Sequence, residues 1–173
     1  MKRKEFVVLP KHLILGMLIF IAIAIFGYAF LPKAVAWVMA PKPAEIAARD
    51  GAQAFLSTDV KKGQAAWEDG ICNVATEQGC MLIKKTIAPM LWPSIERSKI
   101  QQSCLIVGSS LSKDIPAGNE NPHTEAWLVT LECTNLQTGK IQKGDIQVLV
   151  SEFQGSWKFE RVLFNQESQH VKP

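Results

Sequence analysis

The chain has 173 residues, 47% of them hydrophobic and 20% charged, with a formal net charge of +3. That length leaves room for one ordinary domain and its appendages. The positive balance is local: residues 1–33 hold five basic residues (Lys2, Arg3, Lys4, Lys11, Lys33) against Glu5, and the remainder carries 14 basic and 15 acidic residues. A domain so balanced lacks the basic footprint of a direct nucleic-acid binder.

The run from Leu13 to Leu31 is 19 residues without a charge, roughly 28 Å of helix and close to the hydrocarbon thickness of a bilayer. A buried helix of a soluble protein would carry a polar stripe, and this run has none. Pro32 ends it, and Tyr28 and Trp37 stand where interfacial aromatics are expected. Four basic residues precede the run, whereas only Lys33 and Lys42 follow at comparable distance, which predicts a cytoplasmic N-terminus and a translocated C-terminal part. Ala34-Val35-Ala36 fits a signal-peptide cleavage pattern, but the apolar stretch exceeds the roughly 7–15 residues usual for a signal peptide. The expected plan is a basic tail over 1–12, a membrane helix over 13–31, a proline-bounded linker over 32–43, an exported domain over 44–165 and a loose tail over 166–173. Gly16 and Gly27 make no GxxxG motif, so nothing in the run itself predicts helix pairing.

From Ala44 the pattern is helical, with Ala44, Ala48, Ala52, Phe55 and Leu56 on one stripe. Ser57, Thr58, Asp59 and Gly63 break that helix, and a second is expected over 64–74, burying Ala65, Trp67 and Ile71. A third helical stretch over about 79–97 contains Pro89 and Pro93, each without an N–H, and is expected to be kinked, with Met90, Leu91 and Trp92 in the core.

After Ser98 the period becomes two. Residues 101–111 read as a strand and 112–125 as a long polar loop, within which His123 is the domain's single histidine and is expected to be solvated. A second strand covers 126–133, with Trp127, Val129, Leu131 and Cys133 on one face. A turn over 134–140, a strand over 146–153, a Gln154-Gly155 hairpin and a strand over 157–164 complete the chain, with Trp157, Phe159 and Leu163 on one face. Helices followed by an antiparallel sheet of about four strands define an α+β fold.

Four cysteines (Cys72, Cys80, Cys104, Cys133) in an exported domain suggest disulfides, with three pairings possible; as free thiols they would be small buried hydrophobes. Local geometry favours Cys72 with Cys80, stapling a short loop between helices, and Cys104 with Cys133 across two neighbouring strands. That register sets Ile106 opposite Leu131, Gly108 opposite Val129 and Ser110 opposite Trp127. The cysteine spacings lack the form of a zinc site, so neither a metal nor a cofactor is expected.

Chemistry-bearing motifs are missing: there is no phosphate loop, no GxSxG elbow and no HExxH, so no catalytic residue is assigned. Trp67, Trp92, Trp127 and Trp157, one per element, are candidates either for core residues locking helices to sheet or for an interface or pocket.

A basic tail, one membrane helix, a helical segment and a sheet of about four strands, including the Ala52-Gln-Ala-Phe-Leu56 stretch and Trp157-Lys-Phe-Glu-Arg-Val-Leu163, resembles the inner-membrane scaffold subunits of type IV secretion and conjugation machines. Their exported domain is nuclear transport factor 2-like, with helices on a curved antiparallel sheet. The resemblance covers residues 1–165 and implies a non-enzymatic assembly protein of the bacterial inner membrane. Its partners would be the bilayer, other secretion or conjugation subunits and further copies of itself, with no cofactor. The four cysteines and the short domain depart from that family. A small-ligand-binding protein or enzyme using the mouth of the same cone is the alternative, and an anchored regulator of envelope enzymes a third.

Overall fold

The computed structural model describes residues 40–118 and 121–164, and the chain from Lys42 onward clusters as a unit of its own. The expected membrane segment from Leu13 to Leu31, most of the linker and the C-terminal tail lie outside the described residues. Among the described residues no helix is long and apolar enough to cross a membrane.

Helix α1 (Pro43–Leu56) opens on a proline, whose missing N–H is one of the donors a helix start leaves unpaired anyway. Its buried face is Ala44, Ala47, Ala48, Gly51, Ala52 and Phe55, a row of small residues that lets the helix backbone come close to the sheet beneath. Helix ends leave carbonyls unpaired, and here side chains take them. Gln102 Nε2 donates to the Leu56 carbonyl at 2.7 Å, and Trp67 Nε1 donates to the Phe55 carbonyl at 3.0 Å. Trp67→Phe removes the second donor and leaves a buried carbonyl unpaired. The expected cost is about 1–3 kcal/mol, seen as a lower urea midpoint at unchanged slope.

Two residues, Thr58–Asp59, form a short strand β1, followed by a 3-10 turn (Val60–Lys62) that Asp59 caps through the Lys61 N–H. Helix α2 (Gln64–Cys72) buries Trp67 and Ile71. Ala65, expected in the core, is exposed, because it lies on the opposite side of the helix from those two residues. The third helical stretch comes in three pieces: α3 (Glu77–Leu82), a π-helical turn (Ile83–Ile87) and α4 (Ala88–Arg97). The wide turn falls immediately before Pro89, where an α-helical ladder would lose a donor, so the expected irregularity is a π turn rather than a break. It also rotates the faces: Trp92 is buried and Leu91 half-buried, but Met90 points to solvent.

The sheet is antiparallel, in the order β1-β2-β3-β4-β5, with β2 Gln101–Ile115, β3 Thr124–Asn135, β4 Ile141–Phe153 and β5 Ser156–Leu163. Five strands replace the expected four because β1 pairs through only Thr58 and Asp59, too short to show a period. Strands β2 and β4 also outrun their expected ends. Residues 141–145 are exposed throughout, so the sequence there shows no alternation although the backbone ladder continues.

Helix α1 lies against β2, β3, β4 and β5. The core between them comprises the α1 alanines and Phe55 with Cys104, Trp127, Val129, Leu131, Val148, Val150, Phe159 and Val162. In β5 a bulge at Glu160 makes Val150 face Phe159 while Leu149 faces Arg161. Val162 therefore joins the face of Phe159, and Leu163, expected there, is buried outside the main core. The Gln154-Gly155 turn has φ of 51° and 76°, the left-handed pair that a two-residue hairpin requires.

Candidate functional site

Both disulfides pair as local geometry favours. Cys72 bonds Cys80 with their Cα atoms 4.8 Å apart, and Cys104 bonds Cys133 directly across β2 and β3. The expected register holds at Ile106 opposite Leu131 and then slips. A bulge at Val107 sets Gly108 opposite Thr130 and Ser110 opposite Leu128, so the two further pairs expected there do not form. The extra residue absorbs one position, and the Gly-Ser-Ser run after it has no apolar side chain to resist the shift.

The first disulfide closes a loop that docks on the edge of β5. Thr76 caps α3 by accepting from the Gly79 N–H at 2.9 Å and donates its hydroxyl to Glu160 at 2.7 Å. Backbone bonds run from Thr76 N to the Phe159 carbonyl and from Phe159 N to the Val74 carbonyl. Position 79 must be glycine, since a Cβ there would overlap the Glu160 carbonyl.

The four tryptophans divide into two pairs. Trp67 and Trp92 are buried with ring centroids 5.9 Å apart, and Phe55 lies 5.7 Å from Trp67; this pair is helical core. Trp127 and Trp157 reach instead a cluster of charged side chains at one end of the sheet.

That cluster grows from the strand ends. Asp114 near the end of β2 and Glu125 near the start of β3 are cross-strand partners, and His123 sits two residues before Glu125. In extended chain, residues two apart project to the same side. The His123 carbonyl accepts from the Glu152 N–H of β4 at 2.8 Å, which ties the loop end to the sheet. Its imidazole Nε2 lies 2.7 Å from Asp114 Oδ1, and Nδ1 lies 3.7 Å from Glu152 Oε2. The Trp157 ring meets the imidazole edge-on at 4.8 Å. Glu125, 7% exposed, accepts a 2.7 Å hydrogen bond from Trp127 Nε1. One donor atom each from Asp114, His123 and Glu125 lie within 4.8 Å of one another.

His123, expected to be a solvated loop residue, is therefore held between the carboxylates of Asp114 and Glu152 and the ring of Trp157, with Glu125 close by. A signal for this was present. Continuing the unbulged Cys104–Cys133 register along β2 brings Asp114 opposite His123, but ending the strand at Leu111 hid it. Elsewhere, a shallow polar depression lined by Gln102, Cys133, Asn135, Thr138, Lys140 and Gln142 is far smaller than a small-molecule site requires.

The fold so described is an α+β domain with its helices on one face of an open antiparallel sheet, held by two disulfides. No family model matches the sequence, and no curated protein does either. Among solved structures the chain is similar to the periplasmic domain of DotI (crystal form I), with a TM-score of 0.50 at 9% identity, over 66% of this chain and 87% of that chain. A likeness at this identity is one of fold. The two disulfides, bonds that persist in oxidising compartments, fit an extracytoplasmic domain.

Proposed function

We propose that this protein is a membrane-anchored, non-enzymatic scaffold subunit of a type IV secretion or conjugation apparatus. In this reading residues 13–31 anchor it in the bacterial inner membrane. The domain from residue 44 is nuclear transport factor 2-like, lies on the periplasmic side, and binds other envelope subunits and further copies of itself. The observation that carries the reading is the fold likeness to the periplasmic domain of DotI, a type IV secretion component, over most of that domain's length.

The interior supports a scaffold over a ligand-binding cone. The helix-facing side of the sheet is filled by α1, with Val129, Val148, Val150 and Phe159 fully buried beneath it. A ligand site needs a cavity with converging polar groups, and in this interior apolar side chains take that space.

Crosslinking in native membranes, followed by purification of the full-length protein in mild detergent, tests the proposal. The expected products are a crosslinked dimer or larger assembly of the chain and named secretion-system subunits in the same fraction. Recovery of monomer alone would overturn it. Intact-mass measurement checks the anchor separately: the uncleaved chain is expected, and an N-terminus at Trp37 would remove the membrane helix from the scheme.

A further inference from the structure

We propose that Asp114, His123 and Glu125 form a binding site for a divalent transition-metal cation of the zinc type, with Glu152 and Trp127 as positioning residues. The site is independent of the scaffold reading.

The donor set comes first. One imidazole nitrogen and two carboxylates supply three ligands of the kind zinc takes at roughly 2.0–2.2 Å. Their atoms already lie within 4.8 Å of one another, so small side-chain rotations bring them around one ion. An imidazole among the ligands favours zinc, nickel or copper over magnesium and calcium, which prefer all-oxygen shells.

The supporting groups are those a metal site uses. A ligating histidine usually gives its second ring N–H to a carboxylate, and this partner fixes the ring and raises its basicity. With Nε2 turned to Asp114, Nδ1 faces Glu152 at 3.7 Å. Trp127 Nε1 holds one oxygen of Glu125, Oε2, at 2.7 Å, which orients the carboxylate. The edge of Trp157 limits rotation of the imidazole. Asp114 and Glu125 stand on paired strands, so the geometry is set by the sheet ladder and not by a free loop.

Charge gives the reason for a cation. Three carboxylates surround one imidazole, so even a protonated ring leaves the cluster with an excess of negative charge. Glu125 is the most deeply buried of them, and its hydrogen bond comes from a neutral indole. A buried carboxylate is costly without a positive partner, and a dication bound here supplies it.

The test uses the full-length protein in detergent, without a histidine tag, carrying His12→Ala and His170→Ala to remove the other two histidines. Equilibrium dialysis against zinc alone is expected to show a single equivalent bound in the micromolar range. The bound ion should survive excess magnesium, and cobalt in its place should give visible absorption bands. His123→Ala and Asp114→Asn should each weaken binding about tenfold or more, and Glu152→Gln by about tenfold through the lost support of the ring. Asp114, His123 and Glu152 are partly exposed, so these variants should unfold with the parent in EDTA. Zinc should raise the melting temperature of the parent and not that of His123→Ala. Equal zinc binding by the parent and His123→Ala, displacement by magnesium, or no binding by the parent would each overturn the site.

Discussion

Phe159→Ala is expected to cost about 3–5 kcal/mol, the range for emptying a core aromatic site, and so to consume much of the roughly 5–15 kcal/mol that holds an ordinary domain folded. Phe159 is completely buried. It faces Val150 of the neighbouring strand β4, and its backbone carries both hydrogen bonds to the disulfide-closed loop at Val74 and Thr76. Above it lies Gly51 of α1, where an added Cβ would overlap the phenyl ring itself. The glycine and the ring are therefore one packing unit, which makes a sharper test available. In an ordinary helix interior Gly→Ala gains about 0.8–1.0 kcal/mol from propensity. At position 51 overpacking should reverse the sign, making Gly51→Ala destabilising by about 1–3 kcal/mol. In the Phe159→Ala background the added methyl enters the vacated space, and the same substitution should become neutral or stabilising. Urea denaturation of the four proteins measures the coupling, expected within about 0.5–3 kcal/mol for residues in contact. Additive effects would mean that Gly51 is not selected by the ring.

The helical face and the central strands were legible because burial there is one-sided. The α1 stripe at Ala44, Ala48, Ala52 and Phe55 and the alternation of Trp127, Val129 and Leu131 show it. Legibility failed where that condition failed. Residues 141–145 are exposed on both faces, so pairing with β3 left no mark on hydropathy. Bulges at Val107 and Glu160 shifted faces by one residue, and a bulge is a backbone event with no side-chain signature at either position. Met90 was lost to solvent by a π turn that adds to the helical repeat. The charged cluster was the least legible part. Asp114 is nine positions from His123 and Glu152 is 29 positions from it, so only strand register brings them together. The two tryptophan pairs show the same limit: one residue type, evenly spaced along the chain, serves the helical core at Trp67 and Trp92 and the edge of a polar cluster at Trp127 and Trp157.

The two disulfides should differ in what their loss does. In the chain-entropy account, closing the 29-residue separation of Cys104 and Cys133 stabilises by about 3.6 kcal/mol, and closing the 8-residue separation of Cys72 and Cys80 by about 2.5 kcal/mol. The Cys104–Cys133 bond joins the two longest-paired strands beside the core, with Cys104 fully buried. The double variant Cys104→Ala, Cys133→Ala should therefore lower the global melting temperature, by about 11–18 °C if each kcal/mol is worth about 3–5 °C in a domain of this size. Removing Cys72 and Cys80 should act locally first. Their loop supplies the edge pairing at Ala75 and Phe159 and the Thr76 contact to Glu160, and a loosened loop opens below the global transition. Hydrogen exchange separates the two cases. The Cys72→Ala, Cys80→Ala variant should lose protection at the Thr76 and Phe159 amides while β3 and β4 stay protected. The Cys104→Ala, Cys133→Ala variant should instead lose protection across the sheet. Uniform loss in both would mean that the loop and the sheet unfold as one unit. In that case the small disulfide would be as central to the fold as the large one.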